Sequence, residues 1–467
     1  MIESMAKTLN ADVAIIGAGG GGYPAAFFLD KAGFRVLMID PIGNLGGNCL
    51  AEGCVPSKAV REASLIRSYA KKYAFFGLSG PSPQVDWNGI LAHKDRVQKT
   101  RYEIHKSEIQ QSGILFYKGI GKIIDDKKIE VCTENESFYA TFKHLIIATG
   151  SRPHSLQIPG AELTVSSHDL FKQESSVPFP TKPIIIGGGY IGVEVASMLE
   201  NLGSKPSILE FSKSLIGGFD KELSQFLFQR LQSRISIELE AQVKSVKGKE
   251  GNYEVIYVKN DQELSLFGDL VIMATGRECV SPEGIEILGF QRSKALPVTN
   301  TLQVYDFPHI YAPGDVNGKS MLFHSAVLQS RITAHNIAAG GQSVARMDWK
   351  SVPYAVFTEP EIASVGLTEE EAIHMFGHRI EVIKYEYAID ARAEILGETE
   401  GFIKLIFDCE DKRLLGAHIG GIEASQLIAP LALALREGLD AEALARVAFP
   451  HPMISEGINK AARAFSP

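Results

Sequence analysis

The stretch from Gly46 to Lys58, "GGNCLAEGCVPSK", places two of the chain's five cysteines, Cys49 and Cys54, one Leu-Ala-Glu-Gly spacer apart beside a glycine pair. A close thiol pair can staple a fold, ligate a metal, or exchange electrons as dithiol and disulfide. Zinc takes about four ligands, and the sequence offers no further close Cys pair and no nearby His pair, so no metal is expected. On a regular helix, positions i and i+5 rise about 7.5 Å and sit about 140° apart, too far for the roughly 4.4–6.8 Å between the Cα atoms of a disulfide. The chain must therefore turn at Gly46-Gly47. Gly53 should relieve crowding between the two sulfurs, and Pro56 suits the first turn of a helix running through "SKAVREASLIRSYA". Cys132, Cys279 and Cys409 have no partners in sequence and read as inert.

The bulk properties bear on that choice. With 467 residues, 45% of them hydrophobic, the chain can bury large cores in several domains. A net charge of -8 without a basic run argues against nucleic acid or an anionic membrane as partner. The opening "MIESMAKTLN" lacks the profile of a secretory signal, and no apolar run reaches the roughly 18 residues of a membrane span. A cytoplasmic protein is expected. In that reducing compartment a thiol pair is more often reactive than structural.

The elements that must position the pair show an internal duplication. "DVAIIGAGGGGYPAAFFL" is a short apolar strand, a glycine turn and an Ala-rich helix, with Gly17, Gly19 and Gly22 in G-x-G-x-x-G spacing; "FRVLMID" then reads as a second strand ending in Asp40. The same grammar recurs at "KPIIIGGGYIGVEVASMLENLGSKPSILEF", with Gly187, Gly189 and Gly192 in the turn and Glu210 after the second strand. The spacing from first glycine to acid is identical in the two units. Such a unit lets the backbone approach a pyrophosphate at a helix N-terminus while the acid holds a ribose hydroxyl. A second repeated element, Ala148-Thr149-Gly150 in "HLIIATGSRP" and Ala274-Thr275-Gly276 in "DLVIMATGRE", ends an apolar strand in small residues that let it pass close to a nucleotide. The expected fold class is α/β: two Rossmann-like dinucleotide domains, the second inserted into the first. A C-terminal α+β domain follows, in which "GFIKLIFDCEDKRLLGAHIGG" reads as a hairpin and "ASQLIAPLALALREGL" and "AEALARVAF" as helices; it is expected to serve association as a homodimer.

The ordered set "GGNCLAEGCVPSK", both glycine units, "ATGSRP", "ATGR", "YAPGDV", "MLFHSA", "FTEPEIASVGLTEEEA" and "HPMISE" resembles the pyridine nucleotide-disulfide oxidoreductases, within them the lipoamide-linked enzymes. The resemblance covers essentially the whole chain. It implies a first nucleotide domain for FAD at residues 1–150 and 276–345, an NAD domain at 151–275, and an interface domain at 346–467. It implies a redox-active disulfide, with Cys49 as the thiol that meets substrate and Cys54 as the thiol against the flavin. Lys58 and Glu194 match an ion pair beside the reactive edge of the flavin, and Tyr190 matches a side chain that shields it. His451 and Glu456 match a base and its orienting carboxylate, contributed by the other subunit. The implied FAD contacts are Gly17, Gly19, Gly22, Asp40, Gly47, Asn48, Lys58, Ala148, Thr149, Gly150 and Asp315, joined by Met321, Leu322, His324 and Ala326 of "MLFHSA". The implied NAD contacts are Gly187, Gly189, Tyr190, Ile191, Gly192, Glu194, Glu210 and Gly276. Glu210 would bond a 2′-hydroxyl and repel a 2′-phosphate, and only Lys213 follows it, so NAD is favoured over NADP.

The sequence departs from the family pattern at Asp40, where a longer Glu is usual, at Asn48 for Thr, at Ala51-Glu52 for Asn-Val and at Pro450 for Ala; the tail is short and lacks a Cys pair. Three functions fit: NAD-linked oxidation of a protein-bound dihydrolipoyl group or small dithiol, reduction of a different disulfide by NAD(P)H, and a non-catalytic flavoprotein subunit of a lipoyl assembly.

Overall fold

The computed structural model describes residues 8–342 and 344–466, so the N-terminal stretch read for a signal begins outside the described residues. The first apolar run forms the strand Val13–Ile16, buried at every position, as expected of a parallel strand covered on both faces. It lies between Val36–Asp40 and His144–Ile147, parallel to both, with Ile16 opposite Ile39 and Ile147. Gly17 and Ala148 therefore leave the sheet side by side. These strands are central to a nine-stranded sheet that continues outward on one side through Leu115–Asp125 and closes on the other with Phe307–Tyr311 and Gln303–Val304.

The second unit repeats the register. Pro183–Ile186 lies between Ser207–Leu209 and Leu270–Met273, with Ile186 opposite Leu209 and Met273, so Gly187 and Ala274 again emerge together. The glycines follow from this register. Gly17 and Gly187 have φ of +105° and +110°, and a Cβ on them would lie 2.2 and 2.4 Å from the carbonyl oxygens of Ala148 and Ala274. Gly22 and Gly192 would meet the carbonyls of Gly17 and Gly187 at 2.0 and 1.9 Å, so only glycine lets each helix pack this close to its own turn.

The insertion is visible in one small element. Ser151–Pro153 leads out of the first sheet and Arg277–Cys279 leads back, and the two pair antiparallel with Ser151 opposite Cys279 and Pro153 opposite Arg277. The returning chain supplies Phe307–Tyr311, which pairs parallel with His144–Ile147.

The C-terminal domain is a five-stranded antiparallel sheet whose middle strands, Leu414–Gly420 and Phe402–Asp408, are the two arms of the hairpin read from sequence. The helices Ala424–Arg436 and Glu456–Phe465 cover it, and their apolar positions share one core with the strands. The helix expected through "AEALARVAF" is shorter than read, ending at Ala445. Beyond it Asn459 Nδ2 donates to the Val447 carbonyl, and Pro450 and Pro452 remove two backbone donors that a helix needs. This irregular segment carries His451.

Candidate active site

A cavity of about 1240 Å³ runs from the first glycine turn, past both cysteines, to the start of the second unit's helix Tyr190–Asn201. The cysteine loop reaches it by a tight turn. Gly46 and Gly47 have φ of +105° and +51°, and a Cβ on Gly47 would lie 2.8 Å from the Cα of Gly19, so the glycine pair seats the loop on the first glycine turn. Cys49 lies in the short helix Gly47–Ala51, and Cys54 opens the helix Cys54–Tyr69, with Pro56 in its first turn as expected. Gly53 makes room differently from the expectation. A Cβ there would press 3.1 Å from the Asn48 carbonyl and 3.5 Å from the Cys49 Cα, so the crowding it relieves is with backbone, not between sulfurs. Gln98, on the helix Trp87–Gln110, donates to the Leu50 and Ala51 carbonyls at 3.0 and 2.8 Å and fixes the end of the short helix.

Both thiols are free, and the accessible surface of Cys54 faces the cavity. Their environments pull the two thiols in opposite directions. A hydrogen bond from the Cys49 thiol to Cys54 raises Cys49 above the ordinary thiol range, helped by burial, and the same bond lowers Cys54, helped by the Lys58 ammonium and against burial. Lys58 Nζ donates to Glu194 Oε2 at 2.8 Å and sits 4.3 Å from the centre of the Phe357 ring. Glu194 Oε1 accepts from the Phe357 backbone N–H at 2.9 Å, which holds the ion pair in place.

Gly17, Gly19, Asp40, Gly47 and Asn48 line the cavity at the first glycine turn together with Ala148, Thr149 and Gly150. Asp40 accepts from Ala18 N–H and Ile42 N–H, both at 2.8 Å, so the shorter carboxylate is held by backbone at the strand end; burial pushes it up from the ordinary carboxylate value. Asp315, Met321, Leu322, His324 and Ala326 also line the cavity, on a segment packed against the first glycine turn. Asp315, raised by burial, accepts from Ser151 Oγ at 2.5 Å. At the far end stand Gly189, Tyr190, Ile191, Glu194 and Gly276. Tyr190, pushed up to about 12 by burial and by Tyr354, packs edge-on to Phe219 and stacks with Tyr354.

Gly22, Gly187, Gly192 and Glu210 lie outside the cavity lining. The three glycines act from behind it through the close approaches described above. Glu210 accepts from Gly188 N–H at 2.5 Å and Ser212 N–H at 2.6 Å, which places its carboxylate at the second glycine turn. His451 and Glu456 are also outside their own chain's cavity. They are paired, His451 Nδ1 lying 3.0 Å from Glu456 Oε2, and the His451 side chain is 72% exposed.

The residues fit the two dinucleotides: glycine cradles that a Cβ would fill, a carboxylate at each second strand end, and one continuous cavity between the two turns. Sequence reasoning missed Ser151, Arg277 and His168, all beside the cysteine loop. A signal existed for two of them, because Ser151 and Arg277 directly follow the repeated Ala-Thr-Gly trios.

Comparison with known proteins agrees with this architecture. The chain belongs to the pyridine nucleotide-disulphide oxidoreductases: the family model matches residues 11–330, and the model of the family's dimerisation domain matches residues 352–462. FAD and NAD are its cofactors, and the matched dimerisation domain makes the homodimer its assembly. Among particular relatives, a dihydrolipoyl dehydrogenase of Staphylococcus aureus is 33% identical over 97% of this chain and 96% of its own length. That of Bacillus subtilis is 32% identical over 96% of this chain and 95% of its own. Among solved structures, the Cu(II) complex of the HOCl-induced flavoprotein disulfide reductase RclA from Escherichia coli superposes with a TM-score of 0.84 at 26% identity, covering 97% of this chain and 99% of that one.

Proposed function

We propose that this chain oxidises a protein-bound dihydrolipoyl group with NAD as acceptor, through a Cys49–Cys54 disulfide and FAD. The observation that carries the reading is the placement of Cys49 and Cys54 beside the Lys58–Glu194 ion pair, in one cavity shared with both glycine turns.

The thiol chemistry follows from these side chains. A substrate thiolate attacks Sγ of Cys49, the Cys49–Cys54 bond breaks, and Cys54 departs as the better leaving thiolate because Lys58 stabilises it. The second substrate thiolate then attacks the substrate sulfur bound to Cys49, closing the lipoyl disulfide and releasing Cys49, so two electrons pass to the cysteine pair. His451 of the second subunit accepts the substrate proton on Nε2, because its Nδ1 is engaged by Glu456. Bound FAD supplies the route by which this electron pair leaves as hydride to NAD. Tyr190 covers the nicotinamide end of the cavity, and Glu210 selects the nucleotide with a free 2′-hydroxyl.

The dihydrolipoyl substrate is supported by relatives of that name that align along nearly the whole chain. A second reading, reduction of another disulfide, is favoured by the likeness to the reductase RclA. We assign the FAD domain to 1–150 and 276–345, the NAD domain to 151–275 and the interface domain to 346–467, in a cytoplasmic homodimer. The test is an anaerobic titration of the holoenzyme with NADH, followed by turnover with dihydrolipoamide and NAD. A long-wavelength thiolate-to-flavin band with NADH production supports the proposal. The band without dihydrolipoamide oxidation moves the assignment to the second reading, and no band removes the redox role of the pair.

A further inference from the structure

Glu52 stands in the spacer between Cys49 and Cys54, and its side chain, only 11% exposed, faces the same cavity. Its Oε2 is bonded to Nδ1 of His168, on the helix Ser167–Phe171, and its Oε1 lies 3.8 Å from Nη2 of Arg277. Arg277 belongs to the returning strand of the connector between the two nucleotide domains. It donates through Nε to Ser151 Oγ at 2.8 Å and through Nη2 to the Ser151 carbonyl at 2.9 Å. Ser151 donates in turn to Asp315. The Ser151 carbonyl also receives Asn48 Nδ2, so two side chains of the cysteine loop end on the connector. One guanidinium thus lies beside the Glu52 carboxylate and is linked to Asp315 through Ser151 Oγ.

We propose that Glu52 is a positioning residue that sets how readily the Cys49–Cys54 disulfide is reduced, its fixed negative charge opposing the thiolate formed on reduction and Arg277 offsetting that charge. The inference rests on the redox role of the pair and is independent of which dithiol is the substrate. Opening the disulfide places negative charge on Cys54, two positions along the chain from Glu52 in the same cavity, where Lys58 favours that charge and Glu194 opposes it. An anion held in a partly buried site disfavours that state, and a cation there favours it. A carboxylate acting only as a structural tie would give no such sign rule.

The test measures the reduced fraction of the Cys49–Cys54 pair in the holoenzyme, by alkylation and peptide mass analysis, across buffers of reduced and oxidised dithiothreitol. In that exchange the protein disulfide opens, the dithiothreitol ring disulfide closes, and two electrons pass to the cysteine pair. Glu52→Gln should raise the equilibrium constant for reduction about fivefold or more, and Arg277→Gln should lower it by a similar factor, the size expected of one charge acting at an effective dielectric near 20. Glu52→Asp should stay within about twofold of the parent, because the charge remains. Shifts of the same sign in Glu52→Gln and Arg277→Gln, or no shift in either, overturn the inference. Should Arg277→Gln fail to fold or to hold FAD, equal constants for Glu52→Gln and Glu52→Asp overturn it instead. A parent protein whose cysteines form no disulfide refutes the redox reading itself, whereas rejection of dihydrolipoamide changes only the substrate.

Discussion

At the scale of single residues, Cys54 and His451 carry the sharpest expectations. Cys54 is lowered by the Cys49 hydrogen bond first and by Lys58 as well. A thiol lowered in the folded protein keeps its thiolate as pH falls below the ordinary range near 8.5, and the stabilisation is lost only as pH falls through the folded value. The thiolate-to-flavin band of the reduced holoenzyme should therefore persist below that range, and Lys58→Met should move its titration upward; a parent band that titrates as a free thiol would contradict this. His451→Gln should lower turnover by roughly 10² to 10⁴, the usual worth of a general base, with FAD still bound. A near-normal rate would take His451 out of the mechanism. Residue types announced these groups because thiols, a histidine and its carboxylate are chemically distinctive. They did not announce the Glu52–His168–Arg277 cluster, whose members come from three separated segments and meet only through the tertiary path of the connector.

Among elements, the strand–turn–helix units were legible because hydrophobic runs, glycine spacing and the closing acid all repeat, and the register then explains each glycine. The limits of the helix at 441 were not, because an apolar periodicity continues past Ala445 while prolines and a tertiary hydrogen bond stop it. Nor did periodicity reveal Lys404, buried mid-strand in the hairpin and bonded to Asp220 of the inserted domain at 2.9 and 3.1 Å, with Glu369 at 2.7 Å. Burial pushes Asp220 up, but His418 and Lys404 outweigh it and hold the carboxyl below its ordinary value. Stability from this contact is thus full above the ordinary Asp value and lost as pH falls through the lower folded one. Lys404→Met strands a buried carboxylate and should destabilise the protein by about 3–5 kcal/mol, read by urea unfolding at neutral pH. A change below about 1 kcal/mol would show that the contact is solvated like a surface pair.

For the whole molecule, the paired His451 and Glu456 lie outside their own chain's cavity, so the proposed site is complete only in the dimer. Mixing Cys49→Ser with His451→Gln chains tests this directly. A mixed dimer joins intact Cys49 of one chain with intact His451 of the other at one of its two sites. Random exchange should then restore about a quarter of the parent activity from two nearly inactive proteins, as expected for a symmetric pair. No recovery on confirmed exchange would place the base elsewhere.

The connector also dictates an order of assembly. Phe307–Tyr311 completes the first sheet against His144–Ile147, yet the entire inserted domain lies between them in the chain. Bringing those strands together early would mean closing a very long floppy loop, an entropic cost that shrinks once the insert has collapsed and its two ends emerge as neighbours. Seven of the nine strands of the first sheet are made before the insert, and the edge of His144–Ile147 stays uncovered until Phe307–Tyr311 returns to it. In pulse-labelled hydrogen exchange during refolding, amides of Pro183–Ile186 and Leu270–Met273 should gain protection before those of Phe307–Tyr311. On this route the first sheet is completed only after the unit inserted within it has folded.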